Sequence, residues 1–513
     1  MGKGIGSRLA VVACVVAGLA AGAAQAQAPK PHQGGTLAVG VVSDMKTLDP
    51  IYSVQFTERP VLYLVFNTLV KYGADFSIKP ELAESWKLDN DGKRVTFKLR
   101  HGVKFHDGTP FNAAAVKWNI DARLDPKNAS PQRGQLDPVI ASVDVIDEDT
   151  VAFNLKEKFP GLLSLLGERP GFMVSPTEWQ KAGKDFGGQP VGTGAFVFKE
   201  WVRGNRILVE RNHDYWEKGL PHLDSVVFSD LAGAVVGAQR LLTGEIDYVG
   251  DLTPQDVRQL EGKPAIQLNP ITVGRWYSLQ WHMNAPPFDN AKLRQAIAYA
   301  IDRKRINDIV MRGKGTISNG PTPPGLWWYD AGIKSPPHDP AKAKALLKEA
   351  GLADGTSLTL STPQVAAFQQ LNQLVQEQLA AVGIKVALEP ASSAEWYDRM
   401  VKGVTNWSPT RWTQRPDPDG MLYILFHTKG YANTTKYSNP KVDALLDQAR
   451  ETYDQAERKK IYGEAQKLIV ADLPMLPLFF STEYAALRAG VHNFVWIPDQ
   501  IPRFREVWKE AKK

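Results

Sequence analysis

The chain has 513 residues, 43% of them hydrophobic and 23% charged, enough apolar material for about three domains of roughly 150 residues each. Lys and Arg number 61 against 55 Asp and Glu. That mild excess contains no Lys/Arg block of the kind that grips nucleic acid, so no nucleic-acid partner is expected. The one cysteine, Cys14, sits in an N-terminal stretch that reads as removable. What remains has no thiol for catalysis, disulfides or cysteine-held metal.

Lys3 and Arg8 form a basic start, Leu9–Ala24 is apolar, and Ala24-Gln25-Ala26 fits the small-x-small cleavage rule, so residues 1–26 are expected to be a cleaved signal peptide. The apolar run of 16 residues lacks a stop-transfer flank, which argues against a permanent span. Acylation at Cys14 is disfavoured, because only about five apolar residues precede it where an h-region needs ~7–15.

Ala28–Gly35, rich in Pro, Gly and Gln, reads as a leader before a first strand at Gly35–Gly40. Val61, Leu62, Val65, Phe66 and Leu69 give helical spacing over Glu58–Leu69. Glu81–Trp86 reads as a short helix or turn; Trp86–Leu88 and Val95–Leu99 form a hairpin across Asp89-Asn90-Asp91-Gly92. Gly102–Gly108 reads as extended, Asn112–Arg123 as a helix, and Val139–Val145 with Thr150–Leu155 as a second hairpin. Pro190–Phe198 returns the chain to the main sheet. Strands are expected at Arg206–Arg211, Val226–Ser229 and Ile246–Val249, and helices at Ala232–Leu242 and Pro254–Gln259.

The centre of the chain is Trp276–Val310. WYSLQWHM alternates side chains to two faces, the pattern of a strand covered on both sides. After the turn NAPPFDN, Leu293, Ile297, Ala300, Ile301 and Ile306 recur at helical spacing, with Arg294, Asp302, Arg303 and Lys304 on the other side. Pro-rich connections follow at Pro321–Tyr329 and Ser335–Pro340. Ala341–Gly351 is a helix ending on a glycine suited to a left-handed cap. Ser357–Ser361, Val365–Val382 and Ile384–Leu388 give the strand, helix, strand succession of a parallel pair. Asn439–Arg450 and Gln455–Val470 read as helices, and Pro474–Phe480 as an apolar strand.

Four passages, in order, carry a family resemblance. They are LAESWKLDNDGKRVTFKLRHGVKFHDGTPFNAAAVKWN; PVGTGAFVFKEW with NHDYW; NAPPFDNAKLRQAIAYAIDRKRI; and YSNPKVDALLDQA with DLPMLPLF. Together they cover nearly all of Gly35–Trp508, and the chain resembles the peptide- and nickel-type solute-binding proteins (family 5) of bacterial ABC importers. The resemblance implies an α/β, two-lobed periplasmic-binding-protein-like fold of mixed sheets flanked by helices, with an extra domain inserted in the first lobe. It sets lobe I at residues 27–70, 190–271 and 479–513, the inserted domain at 71–189, and lobe II at 272–478. Crossing segments are expected near Thr272–Ser278 and Pro477–Glu483. It further implies a monomer in the periplasm that closes over a small-molecule or short-peptide ligand by hinge motion and delivers it to an inner-membrane ABC permease complex.

The most site-like segment is Trp407–Gly420. A Trp flanked by arginines and held by prolines can stack on a ligand while guanidinium forks grip a carboxylate. In the resembling peptide binders this Trp is followed shortly by an Asp that pairs with the ligand's amine. Here Trp412 matches, but Arg415 stands where an acid or neutral residue is common, which favours a ligand with an exposed carboxylate. Arg411, Trp412, Arg415 and Asp417 are therefore candidate ligand contacts, with a helix-capping role open for Asp417 and Asp419. By resemblance, the loop Leu48–Arg59 borders the cleft through Tyr52, Ser53, Gln55, Phe56 and Thr57. Trp276, Trp281, His282 and Asn284 are candidates from the hinge side, and Trp327-Trp328-Tyr329 from the second lobe.

His101 and His106 read as scaffold, and the nine His residues show no HExxH or short-spaced cluster, so neither a metal nor a cofactor is expected. GxSxG, HExxH, Walker A and GxGxxG are all absent, which speaks against an enzyme. Carriage of nickel, haem or another non-peptide solute, or an exported hydrolase on the same fold, are the competing functions.

Overall fold

Three sheets organise the described part of the chain. A seven-stranded mixed sheet runs in the order Ile266–Ile271, Glu483–Arg488, Tyr248–Val249, Thr36–Val41, Ser225–Asp230, Arg206–Arg211, Phe196–Val202. Its centre is parallel: Thr36–Val41 pairs in parallel with both Ser225–Asp230 and Tyr248–Val249, while the outer pairs are antiparallel. A four-stranded antiparallel sheet, Ala83–Asp89, Arg94–Leu99, Thr150–Leu155 and Ile140–Asp147, closes on its own core of Val95, Phe97, Phe105, Phe111, Val116 and Phe153. The third sheet has four strands: Thr316–Ile317, Met475–Phe480, Trp276–Trp281 and Trp407–Trp412. The computed structural model describes residues 1–2, 30–41, 45–231, 234–271, 273–352, 355–364 and 366–511. Nearly all of the expected signal peptide, including Cys14, lies outside these residues, as does Thr272. Among the described residues, no helix is long and apolar enough to cross a membrane.

The strand Trp276–Trp281 is buried along its whole length, because both faces are covered as its alternation predicts. On one face Tyr277, Leu279 and Trp281 join a core with Leu293, Ile297, Ile306 and Phe479; on the other, Trp276 packs with Met421, Leu422, Phe426 and Tyr462. The chain passes twice between the seven-stranded sheet and this third sheet: between Ile271 and Trp276, and between Phe480 and Glu483. The two passages are tied together. The Arg275 amide donates to Ser481 Oγ (3.0 Å), and the Ser481 amide donates to the Arg275 carbonyl (3.0 Å). A Cβ on Gly274 would stand only 1.7 Å from the Ser481 carbonyl oxygen, so glycine is required by this close approach.

Most sequence-predicted elements appear within a residue or two of their bounds, including the parallel pair Thr356–Pro363 and Ile384–Ala391 with its intervening helix Ala366–Ala380. Several readings need correction. The helix expected over Glu58–Leu69 spans only Arg59–Val65, because Phe66 is extended and Thr68 bridges Phe172. Glu81–Trp86 is not helical: Ala83–Asp89 is a strand, because its partner Arg94–Leu99 supplies the ladder that its own composition does not advertise. The helix after the central strand is two helices, Ala291–Ala300 and Arg303–Val310, since Ile301 and Asp302 are extended and the Asp302 side chain caps the second by accepting from the Arg305 amide. Arg294, expected on the solvated side, is buried. It donates to the carbonyls of Phe288 (2.8 Å), Asp289 (3.3 Å) and Asp472 (3.1 Å), anchoring the turn before the first helix.

Trp281 lies parallel to Phe288 at 6.1 Å, and its indole N–H donates to the Leu473 carbonyl (2.5 Å). Trp281→Ala is therefore expected to cost about 3–5 kcal/mol, as other buried Trp or Phe truncations do. It should appear as a lower denaturant midpoint; an unchanged midpoint would remove this residue from the core.

Candidate ligand-binding cavity

A cavity of about 400 Å³ is lined on one side by Tyr72, Phe159, Leu165, Glu168, Arg169 and Pro170, and on the other by Arg415, Asp417, Asp419, Tyr423, Tyr431 and Arg450. Local structure explains how each side is presented. Glu168 and Arg169 sit on the tight turn Arg169–Gly171 that ends the apolar helix Leu162–Leu166; a Cβ at Gly171 would meet the Leu166 carbonyl oxygen at 1.8 Å, so only glycine permits the turn. Arg415 lies three residues beyond the strand Trp407–Trp412, which the central strand Trp276–Trp281 holds in register through Trp276 opposite Trp412. The segment Asp419–Tyr423 then forms a single wide helical turn that carries Tyr423 to the cavity wall.

The acids on the second side are already committed. Asp417 is gripped by Nη1 and Nη2 of Arg458, each at 2.9 Å, and also accepts from the Asp419 amide. Asp419 pairs with Arg450 at 2.7 Å. Burial pushes the Asp419 carboxyl up to about 6, with Arg450 opposing and Asp417 adding to the rise. Burial lowers Arg458, but Asp417 and Tyr462 together, through charge and hydrogen bonds, outweigh it and raise its pKa. The Arg450 guanidinium also stacks 3.7 Å over the Tyr423 ring and 5.2 Å from the centre of Phe159, across the cavity.

Cations gather where the two sides face each other. Buried Arg59, at the start of the helix Arg59–Val65, forms an ion pair with Glu168. Arg169 donates to the carbonyls of Val54 (3.0 Å) and Gln55 (2.8 Å), and Arg415 Nη1 stands 4.0 Å from Glu168 Oε1. Burial and the neighbouring Arg169 bring Arg59 down to about 9; burial and Arg415 bring Arg169 down to about 10. Burial is the larger cause of both shifts, and the neighbouring guanidinium adds to each. Glu58 offsets part of this, but its carboxylate also serves as acceptor for Ser53 Oγ (2.6 Å) and the amides of Thr47 (3.2 Å) and Gln55 (3.0 Å).

Of the sequence candidates, Arg415 and Asp417 line the cavity. Gln55 reaches its edge through the carbonyl that Arg169 holds, and its side chain accepts from the Lys46 amide (3.2 Å). Phe56 lies under the Arg275 guanidinium at 5.7 Å, Tyr52 packs against the core of the seven-stranded sheet, and Thr57 is half-buried. Trp412 is half-buried with its indole N–H unpaired, packed against Met421 and Phe426. The others are placed elsewhere. Trp281 belongs to the core described above, and Trp276 is fully buried with its N–H on Ser318 Oγ (3.1 Å). The His282 ring accepts from the Asn284 amide at 3.3 Å, and its backbone amide donates to the Asn406 carbonyl. Arg411 points to the opposite face from Trp412, 6.0 Å over Phe368, as strand alternation dictates. Trp328 packs against Tyr72, Phe76 and Ile497, and Trp327 meets Tyr462 edge-on. Tyr72, Phe159, Glu168, Arg169, Tyr423 and Arg450 line the cavity and were not among the sequence candidates. Only the charged pair Glu168-Arg169 after an apolar helix offered a local signal.

His101 pairs with Asp149 (3.0 Å) and His106 with the Gly194 carbonyl (2.9 Å), so neither faces the other as a ligand pair. Among the described residues, no group of three or more His, Cys, Asp or Glu is arranged to hold a metal ion.

Residues 77–433 match the model of the bacterial extracellular solute-binding proteins, family 5 Middle. The chain belongs to family 5 of the bacterial extracellular solute-binding proteins. This family 5 protein is 34% identical over 478 residues to the glutathione-binding protein GsiB of Escherichia coli K12, covering 90% of the chain and 92% of that relative. Its fold matches the ABC transporter-associated periplasmic binding protein DppA of Helicobacter pylori, solved with the peptide STSA, at a TM-score of 0.84 and 27% identity, covering 94% of this chain and 99% of that one. It also matches AgaA of A. tumefaciens R10, solved with agropinic acid, at a TM-score of 0.80 and 29% identity, covering 93% and 99%. The two-lobed α/β fold expected from the sequence is thus the fold of this family 5 protein, which is a substrate-binding protein of an ABC transporter.

The raised Asp419 carboxyl has a consequence for stability. Its pKa of about 6 lies above the ordinary 3.8, so the folded state holds the proton more tightly than the unfolded state. The stability this group contributes is fully present below about 3.8, falls as pH rises, and is gone above about 6. Asp419→Asn should therefore flatten the fall in melting temperature between pH 4 and 6.5 relative to the parent. Parallel melting curves across that window would contradict the raised carboxyl.

Proposed function

We propose that this substrate-binding protein captures a small carboxylate-bearing solute, a short peptide or peptide-like acid, in the cavity between Arg169 and Arg415 and hands it unchanged to an inner-membrane ABC permease. The supporting observation is the pair of guanidinium groups that face the cavity from its two sides, Arg169 and Arg415, with the Arg59 and Glu168 ion pair beside them. An anion entering there gains charge-assisted hydrogen bonds while it lifts the mutual repulsion of the arginines. Tyr72, Phe159, Tyr423 and Tyr431 add apolar area with few rotors, which suits binding of a compact organic solute. Of the proteins compared above, one is named for glutathione and the others were solved with a peptide and with agropinic acid, and each of these ligands carries a carboxylate.

In this proposal, lobe I comprises residues 27–70, 190–271 and 479–513, with residues 71–189 inserted in it and 272–478 forming lobe II. The lobes close about the paired Arg275 and Ser481 passages. Export by a cleaved signal peptide would put the monomeric protein in the periplasm, where such a solute is met before it crosses the inner membrane.

A thermal-shift screen of glutathione, di- to pentapeptides and opine-type acids tests the reading. Ligand at about 100-fold over its dissociation constant adds roughly 2.7 kcal/mol and should raise the melting temperature. No shift with any carboxylate would overturn the proposal. With a ligand in hand, Arg415→Ala should weaken binding about 10- to 100-fold, the loss of a charged hydrogen bond of roughly 1.5–3 kcal/mol. Arg411→Ala, on the opposite face, should change it less than about threefold. Equal effects from the two variants would show that the cavity has been misplaced.

A further inference from the structure

The helices Pro440–Glu451 and Gln455–Asp472 are joined by a short connection whose central side chain, Tyr453, is 37% exposed. Three contacts hold its base. Thr452 Oγ1 donates to the Gln448 carbonyl (2.8 Å), Arg458 Nε donates to the Ala449 carbonyl (3.1 Å), and Asp454 caps the second helix by accepting from the Glu457 amide (2.7 Å). Arg458 also grips Asp417 at the cavity wall, so one guanidinium ties this connection to that wall.

From this base Tyr453 reaches a distant stretch of the chain. Its hydroxyl donates to the Gly92 carbonyl at 2.8 Å, at the tip of the hairpin formed by Ala83–Asp89 and Arg94–Leu99. The amide of Phe159 hydrogen-bonds the same hydroxyl. The contact requires glycine at position 92: its φ is +90°, and a Cβ there would stand 2.5 Å from Tyr453 Cε2. Neither Tyr453 nor Gly92 lines the cavity, whereas Phe159 and Arg450 do, with the Arg450 guanidinium 5.2 Å from the centre of the Phe159 ring. The Tyr453 hydroxyl therefore joins residues 71–189 to residues 272–478 beside the cavity without occupying it.

We propose that Tyr453 is a closing latch: its hydroxyl docks on Gly92 when the two parts of the chain come together over a solute, and it favours the closed arrangement without touching the solute. The proposal rests on the hinged division given above and goes beyond it by naming a contact that only the closed arrangement makes. A partly exposed hydrogen bond replaces one to water, so its net contribution is small. That suits a latch, which has to bias an equilibrium and still let go when the solute is delivered. Because the bond exists in one state only, it shifts the open and closed populations by its own free energy. The same factor enters the affinity for any solute held in the closed state, chiefly through slower release.

Distances between paired spin labels test it. Cys14 is the one cysteine of the sequence and lies in the expected signal peptide, so Lys87→Cys and Lys460→Cys, exposed positions on the two parts, supply the labelling sites in the processed chain. The labelled protein should show a short and a long distance, the short one gaining when excess glutathione is added. Tyr453→Phe, which keeps the ring, should lower the ratio of short to long about three- to tenfold, the equivalent of one neutral hydrogen bond. A ratio unchanged by Tyr453→Phe overturns the latch and leaves the carboxylate cavity standing. One fixed distance in parent and variant, with and without glutathione, overturns the latch together with the hinged closure beneath it. A ratio that falls in the variant but ignores glutathione supports the latch and removes glutathione from the candidate solutes.

Discussion

The backbone ladder between Trp276–Trp281 and its two neighbours is the constraint on which the remainder depends. Antiparallel pairing to Trp407–Trp412 on one edge and Met475–Phe480 on the other fixes the register of three segments far apart in sequence. A one-residue slip would exchange the faces of every side chain, turning Trp276 and Trp412 away from Tyr462 and Phe426 and moving Arg411 to where Trp412 stands. The same ladder sets where the chain leaves the sheet after Trp412 and so where Arg415 meets Glu168. Just beyond the same end, Arg275 and Ser481 bind the two passages to one another.

That arrangement separates rigid and adjustable parts of the cavity. Asp417 and Asp419 are locked by Arg458 and Arg450, and the long helix Gln455–Asp472 that bears Arg458 packs Ile461, Tyr462 and Ile469 into the core beneath. These pairs shape the wall without presenting free charge. The opposite wall is built on a short helix and a tight turn, and its contacts to the loop at Val54 and Gln55 run through one side chain, Arg169. Specificity in such a cavity is set by the few groups whose hydrogen-bonding capacity is unspent, because spent ones cannot distinguish one ligand from another.

The fold was legible where local chemistry and tertiary context agree. The alternation in WYSLQWHM, the turn Asp89–Gly92 with its left-handed Asp91 and Gly92, and the strand, helix, strand run at 356–391 each announce themselves. Glu81–Trp86 misled because a strand's partner, not its own residues, decides it. Arg294 misled because its charge suggested solvent while three carbonyls awaited it inside. In the candidate cavity, Arg415 was readable as a lining residue from its neighbours in sequence. Arg59, Glu168 and Arg169 were not, since they come together with Arg415 only in three dimensions and each looks alone like an ordinary surface charge. Trp276 and Trp281 drew attention as aromatic side chains, but a strand covered on both faces spends its aromatics on packing.

The choice of arginine for the crowded wall follows from the same electrostatics. Burial beside other cations lowers a basic group's pKa, and a lysine, starting near ~10.4 and more easily desolvated into its neutral form, would tend to shed its proton there. Arg59 at about 9 and Arg169 at about 10 remain charged at neutral pH despite the shift. Their positive charge therefore does not have to be created by proton uptake when an anion arrives. Relief of their mutual repulsion is favourable in the ligand-bound form only, and it is largest when both walls are brought together and water is excluded. In the proposed site, closure and recognition would draw on one source of energy, tying affinity to the mutual approach of Glu168 and Arg415.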